Sequence, residues 1–274
     1  MQRPRHAPTR HAPARHAAET WAAASGMHAR VVGAVIMRDL QTRFGTGYFG
    51  FLLGLIMPLG HLTIAMVIMT VLGRLPPIGT SNATFSMTGV LPFVLWLYSH
   101  RQIMIAYQQN RPLLYFPGVD IGDLLAARVI LEISSGTLVV VFVLSALALM
   151  GYDVMPAYPA AFLGSLIAAW VLGIATGLIF GNGGALFPGL LMLGNLLGPL
   201  FWITSGIVYL PDLLPERARE AVSYFPLCQA VDMLRFSFYP EYYSSFYDPY
   251  KIYPTLLFMV LFGSALVPIV RKVT

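Results

Sequence analysis

Lys251 and Lys272 are the only lysines in the 274 residues, and neither follows a glycine-rich turn. A phosphate-binding loop needs glycines ahead of a lysine and a serine or threonine, because backbone amides cradle the phosphates and the lysine reaches the terminal ones. Lys251 stands in Pro-Tyr-Lys and Lys272 in Arg-Lys-Val, so the chain does not bind ATP by that motif. Other reactive patterns are equally absent. Cys228 is single and forms no internal disulfide. Ser134 and Ser135 lie near Glu132 without a histidine placed to activate them, and no His, Cys and carboxylate set has metal-ligand spacing. An enzyme is therefore the weakest functional class, and nothing requires a cofactor.

What remains is charge and aromaticity in apolar surroundings. Arg128 and Glu132 stand four residues apart, the spacing of a structural ion pair on one helical face. His61 lies deep in an apolar run and suits either an interhelical hydrogen bond or a conduit wall. His100 and Arg101 fall in the inner half of another run, from which arginine either snorkels to the interface or faces a channel. Trp96, Trp170 and Trp202 suit belt anchoring or packing, and Trp96 and Trp202 join His61, Arg74 and Arg101 as candidate conduit residues.

The elements that must position these groups are six long apolar runs, approximately Gly50 to Leu72, Thr88 to Tyr107, Leu124 to Met150, Pro159 to Phe180, Gly189 to Val208 and Ile252 to Val270. A helix rising ~1.5 Å per residue needs about 20 apolar residues to cross the hydrocarbon layer. With 57% hydrophobic and 11% charged residues, the chain has too little polar surface to coat a soluble globule. The runs are continuous, not alternating, so the expected fold is an all-α membrane protein with six transmembrane helices.

Charge sets the expected orientation. Arg3, Arg5, Arg10, Arg15, Arg30, Arg38 and Arg43 precede the first run against Glu19 and Asp39, and Arg271 and Lys272 close the chain. The positive-inside rule then puts both termini in the cytoplasm, with the Arg111 connection on the same side. The segment 209–250 lies outside by span counting; it is too polar to span, and a helix is expected over Pro215 to Val222.

Residues 1–26 repeat Arg-His-Ala-Pro and have the composition of a disordered tail, in which His6, His11 and His16 are solvated. The tract has no secretory-leader pattern; its Arg-rich, acid-poor composition also resembles a transit peptide, and Met27 is an alternative start. The membrane-spanning body runs over 27–274. It opens with an amphipathic stretch from Ala29 to Phe44, in which Val32, Val35, Ile36, Leu40 and Phe44 recur at helical spacing while Arg30, Arg38, Asp39 and Arg43 occupy much of the remaining circumference. Such a helix lies in the headgroup plane or packs on a neighbouring domain.

Four blocks carry a family resemblance. Met37-Arg38-Asp39-Leu40-Gln41-Thr42-Arg43-Phe44-Gly45 runs toward Pro58 and His61-Leu62; Gly89-Val90-Leu91-Pro92-Phe93 opens the second run; Ala127-Arg128 with Glu132 opens the third; Phe225-Pro226-Leu227 is followed by Asp232 to Arg235. In this order they resemble permease subunits of capsular polysaccharide ABC exporters. The resemblance implies six spans, an amino-terminal interfacial helix, a cytoplasmic coupling segment at 108–123, and periplasmic re-entrant helices before the last span. It implies ATPase coupling through Asn110, Arg111, Leu113, Leu114, Tyr115 and Phe116. It further implies a homodimer with a separate cytoplasmic ATPase that binds ATP and Mg, a periplasmic adaptor, an outer-membrane channel, and lipid-linked acidic polysaccharide as cargo at a bacterial inner membrane. The link Gly181 to Pro188 departs from the pattern by carrying no charge, which favours close packing there over a grip on the ATPase. Related permeases for O-antigen, teichoic acid or small molecules are the alternative. An ion-coupled transporter is more remote, since paired mid-membrane carboxylates are not evident.

Overall fold

The computed structural model describes residues 26–41, 48–71, 75–244 and 246–273. The Arg-His-Ala-Pro tract, Arg43, Phe44 and the conduit candidate Arg74 lie outside the described residues. All regular structure among the described residues is helical. The helices are α1 (residues 26–41), α2 (Tyr48–Val71), α3 (Asn82–Met104), α4 (Ala106–Asn110), which continues as a 3-10 turn over Arg111–Tyr115, α5 (Ile121–Leu149), α6 (Pro159–Leu186), α7 (Gly189–Thr204), α8 (Glu216–Ser223), α9 (Pro226–Phe238) and α10 (Pro249–Val273). α8 falls within a residue of the expected helix over Pro215 to Val222.

Six of these helices run between two ends of the molecule. At one end Ile103, Tyr107, Ile121, Leu178 and Val270 cluster, which collects the end of α3, the start of α5 and the ends of α6 and α10. At the other, Met69, Phe85, Leu210 and Tyr242 cluster, joining the end of α2, the start of α3 and the chain after α7. The Tyr158 amide donates to the Ser237 carbonyl there, and the Asp248 amide to Gln229, so α6 and α10 also begin at this end. α5, α6 and α10 are long and apolar enough to cross a bilayer. α2 and α3 have 24 and 23 residues, whereas α7 has 16 and rises only ~24 Å. Large apolar side chains face outward along the bundle, among them Ile64, Val141, Leu196, Ile203, Leu257, Phe258 and Leu261. A rim of this kind requires lipid or partner protein to cover it.

α3 is the central element, with Phe85, Phe93, Trp96 and Ile103 among its buried residues. α6 lies directly against it because three glycines, one per helical turn, meet α3. A Cβ on Gly173 would stand 2.7 Å from Ser99 Cβ, one on Gly177 2.8 Å from Ile103 Cβ, and one on Gly181 2.7 Å from the Met104 carbonyl. Small residues allow such backbone approach, and dispersion between the close surfaces holds the pair. The sequence places a link from Gly181 to Pro188; instead α6 continues to Leu186, and the turn into α7 is only Phe187 and Pro188. The glycines there pack, as their lack of charge favours, since a Cβ on Gly184 would meet Leu191 of α7.

The amphipathic helix packs on protein along part of its apolar stripe. Val35 is buried, and Val31, Val32 and Ile36 pack with Leu113, Leu114, Val119 and Leu124. Val35 and its neighbours on the apolar stripe of α1 thus pack on protein, because the coupling segment and α5 offer a matching apolar surface.

Candidate functional site

The coupling segment is built by local rules. Pro112 lies in the first turn of the 3-10 helix, where its missing N–H costs nothing. Asp120 then caps α5, accepting from the Gly122 amide, while the Asp123 carboxylate accepts from the Asp120 amide to close a capping box. This geometry divides the predicted coupling residues into two sets. Tyr115 and Phe116 project into the surroundings at 82% and 62% exposure, and Arg111 is exposed too. Leu113 and Leu114 are half-buried against α1 and α5. Asn110 is buried; its amide donates to the Ala106 carbonyl and its oxygen accepts from Arg38.

A polar network surrounds this segment. Asp39 is buried on α1 and takes Arg38 Nη2 at 2.7 Å and Arg128 Nη1 at 3.5 Å. Arg128 also donates to Gln109 Oε1 at 2.7 Å, so α1, α4 and α5 share one set of bonds. Glu132, one turn beyond Arg128, is buried as well. Two further pairs reach the start of α5: His28 Nδ1 lies 2.8 Å from Asp123, and Arg271 of α10 pairs with Asp120. The i, i+4 pattern identified Arg128 as a structural residue but gave no sign of Asp39 and Gln109 as its partners.

The conduit candidates separate by burial. Trp96 is fully enclosed in the protomer, donating to Thr176 Oγ1 at 3.3 Å and stacking on His100. His100 Nε2 lies 3.0 Å from the Gly194 carbonyl, which only an N–H can satisfy, so that nitrogen carries the proton; Nδ1 faces Thr176 at 3.0 Å. This chain of bonds ties α3 to α6 and α7. His61 and Trp202 are half-buried, their rings 5.6 Å apart and both against Phe93, which brings α2 and α7 together. Arg101 is exposed near the end of α3.

The opposite end is organised by Arg235, whose role the sequence did not reveal although it falls in one of the resemblance blocks. It is fully buried. Its guanidinium donates to the carbonyls of Gly206, Ile207 and Tyr209 and sits 4.3 Å over the Phe85 ring. Gly206 has φ of 77°, a left-handed turn that aims these carbonyls inward and that other residues adopt with difficulty. Asp232, one turn earlier, accepts from Tyr242 at 2.6 Å and from Ser244. Burial lifts the Asp232 carboxyl above the ordinary range against the pull of Ser244, Tyr242 and Arg235. Burial also pushes the Tyr242 hydroxyl up, with the Asp232 charge adding to it. Gln229 completes the set, donating to the Ser223 carbonyl.

Fold and surface together define a protein whose described regular structure is all helical, with an apolar rim and a buried polar network at one end. No family model matches the chain. It is nevertheless homologous, over most of its length, to capsule polysaccharide export inner-membrane proteins. It is 28% identical over 246 residues to CtrC of Neisseria meningitidis, covering 87% of this chain and 90% of that one. It is 26% identical over 231 residues to BexB of Haemophilus influenzae, covering 81% and 84%. With the polysialic acid transport protein KpsM of Escherichia coli it shares 29% identity over 230 residues, 81% and 87% of the two chains.

Proposed function

We propose that this chain is the permease subunit of an ATP-driven exporter of capsule polysaccharide in a bacterial inner membrane. The observation that carries the reading is the likeness to CtrC over 90% of that protein's length. In this reading α2, α3, α5, α6, α7 and α10 all span the membrane. The α1 end faces the cytoplasm with both termini, and α8 and α9 form the re-entrant periplasmic cap. Two copies related by a two-fold axis frame the conduit, since six helices of one protomer close only a narrow path. A separate ATPase dimer binds ATP and Mg and docks on the segment that exposes Tyr115 and Phe116. The cargo is a lipid-linked acidic polysaccharide, passed to a periplasmic adaptor and an outer-membrane channel. Exposed Arg101, half-buried His61 and Trp202, together with Arg74 from outside the described residues, are the conduit residues; a guanidinium meets carboxylate in a planar two-pronged geometry. Enclosed Trp96 serves this wall from behind by holding α3 to α6.

Among the described residues, Asp123 and Glu132 are the only carboxylates within the six long helices, and both lie toward the α1 end of α5. That placement favours an ATP-driven machine over an ion-coupled carrier, which needs carboxylates near mid-membrane.

The test is restoration of surface capsule in a strain lacking a capsule permease, with co-purification of the ATPase measured in parallel. The chain is expected to restore capsule, and Tyr115→Asp with Phe116→Asp to lose both capsule and ATPase while remaining in the membrane. Unchanged ATPase binding in the double variant would remove this segment from the docking site. Arg101→Glu is expected to block export of an acidic capsule with the complex intact.

A further inference from the structure

We propose that the Arg38–Asp39 pair is a positioning element that locks α1 to the coupling segment, so that α1 and residues 106–128 move as one rigid lever. The inference rests on the coupling role proposed above. Two kinds of contact join α1 to this segment. The first is apolar: Val31, Val32, Val35 and Ile36 against Leu113, Leu114, Val119 and Leu124. Such contact is adhesive but non-directional, and by itself lets one helix slide or roll on the other. The second fixes register. Arg38 reaches Asn110, which is buried at the end of α4, and Asp39 reaches Arg128 on α5; Asp39 and Arg128 are both buried. A slide of α1 parts buried Asp39 from buried Arg128 and Arg38 from buried Asn110, which is costlier than exchanging one apolar neighbour for another.

The same segment is held at its other margin. Asp120 and Asp123, in the first turn of α5 where the helix dipole already favours anions, receive Arg271 and His28 from opposite ends of the described chain. Displacement of Tyr115 and Phe116 by a docked ATPase is thereby delivered through α1 and α5 together instead of being absorbed by bending of the short 3-10 turn. Neither Arg38 nor Asp39 touches the ATPase in this account; they act through the geometry of Asn110 and Arg128.

The experiment uses the full permease–ATPase complex and follows membrane level, ATPase co-purification, ATP hydrolysis and surface capsule. Asp39→Asn is expected to leave the first three unchanged and to lower capsule about tenfold, a loss of coupling. The exchanged pair Asp39→Arg with Arg128→Asp is expected to recover most of that export. If Asp39→Asn fails to accumulate, Arg38→Ala decides by the same readouts, because Arg38 is partly exposed and its removal spares the buried pair. Normal capsule in Asp39→Asn, or in Arg38→Ala where Asp39→Asn fails to accumulate, overturns the proposal. So does loss of ATPase binding, which would make these residues part of the dock, or no recovery in the exchanged pair. If the unsubstituted chain neither binds an ATPase nor restores capsule, it is the proposed function that falls.

Discussion

The two ends of this bundle each bury an arginine and an aspartate, and they hold the arginine in opposite ways. At the α9 end, Arg235 is held by three backbone carbonyls and an aromatic face. At the α1 end, Arg128 and Asp39 are met by side chains from α1, α4 and α5. A charge held by backbone carbonyls can be released only by unwinding the turn that presents them. One held by side chains ties together the helices that carry them. The first arrangement suits a fixed cap and the second a joint through which force passes.

The comparison is most exposed to Arg235→Met. Three inward carbonyls would lose their donor, and a loss of ~3 kcal/mol or more is expected, with reduced membrane level. Thermal unfolding of the detergent-solubilised protein measures it, and Arg235→Lys should recover only part, since an ammonium cannot span all three carbonyls. An unchanged midpoint in Arg235→Met would erase the contrast between the ends. Between them lies the α3–α6 contact: Gly177→Ile places atoms where Ile103 Cβ and the His100 carbonyl stand and should cost ~1–3 kcal/mol by the same assay. Tyr242→Phe removes one donor from Asp232 and should cost about 1 kcal/mol.

At the α1 end the expected ordering reverses between stability and function. Arg38→Ala should shift unfolding by less than ~1 kcal/mol, as for other partly exposed pairs, while export falls. A stability loss matching that of Arg235→Met would show the two ends to be equally rigid. The smallest effect is expected from deleting residues before Met27, whose composition offers no packed contact: insertion and export should persist. Failure to insert would identify the tract as a targeting signal.

Much of the architecture was legible beforehand. Continuous apolar runs predicted helices because burial in lipid leaves the backbone no partner but itself. Pro215 and the charged turn after it gave α8, and the absence of a phosphate loop followed from two lysines in the wrong surroundings. Prolines and apolar residues marked the connection 108–123, whose coupling role is what the family resemblance implies. Which of those residues faced outward was not legible, because a 3-10 turn spaces side chains differently from an α-helix and places Leu113 and Leu114 against α1 while Tyr115 and Phe116 point away.

What the sequence alone determined is therefore local: helix positions, the apolar length of each, and the lack of a phosphate-binding loop. These depend on neighbours within a few residues, which periodicity and composition record. Tertiary structure decided the partners: that the apolar stripe of α1 meets protein, that α6 extends to Leu186 along α3, that Arg38 finds Asn110 across 72 residues, and that Arg235 closes on the turn after α7. Pairings at such separation are chosen by the packing of the whole bundle, where a buried charge must find a partner or not be buried at all.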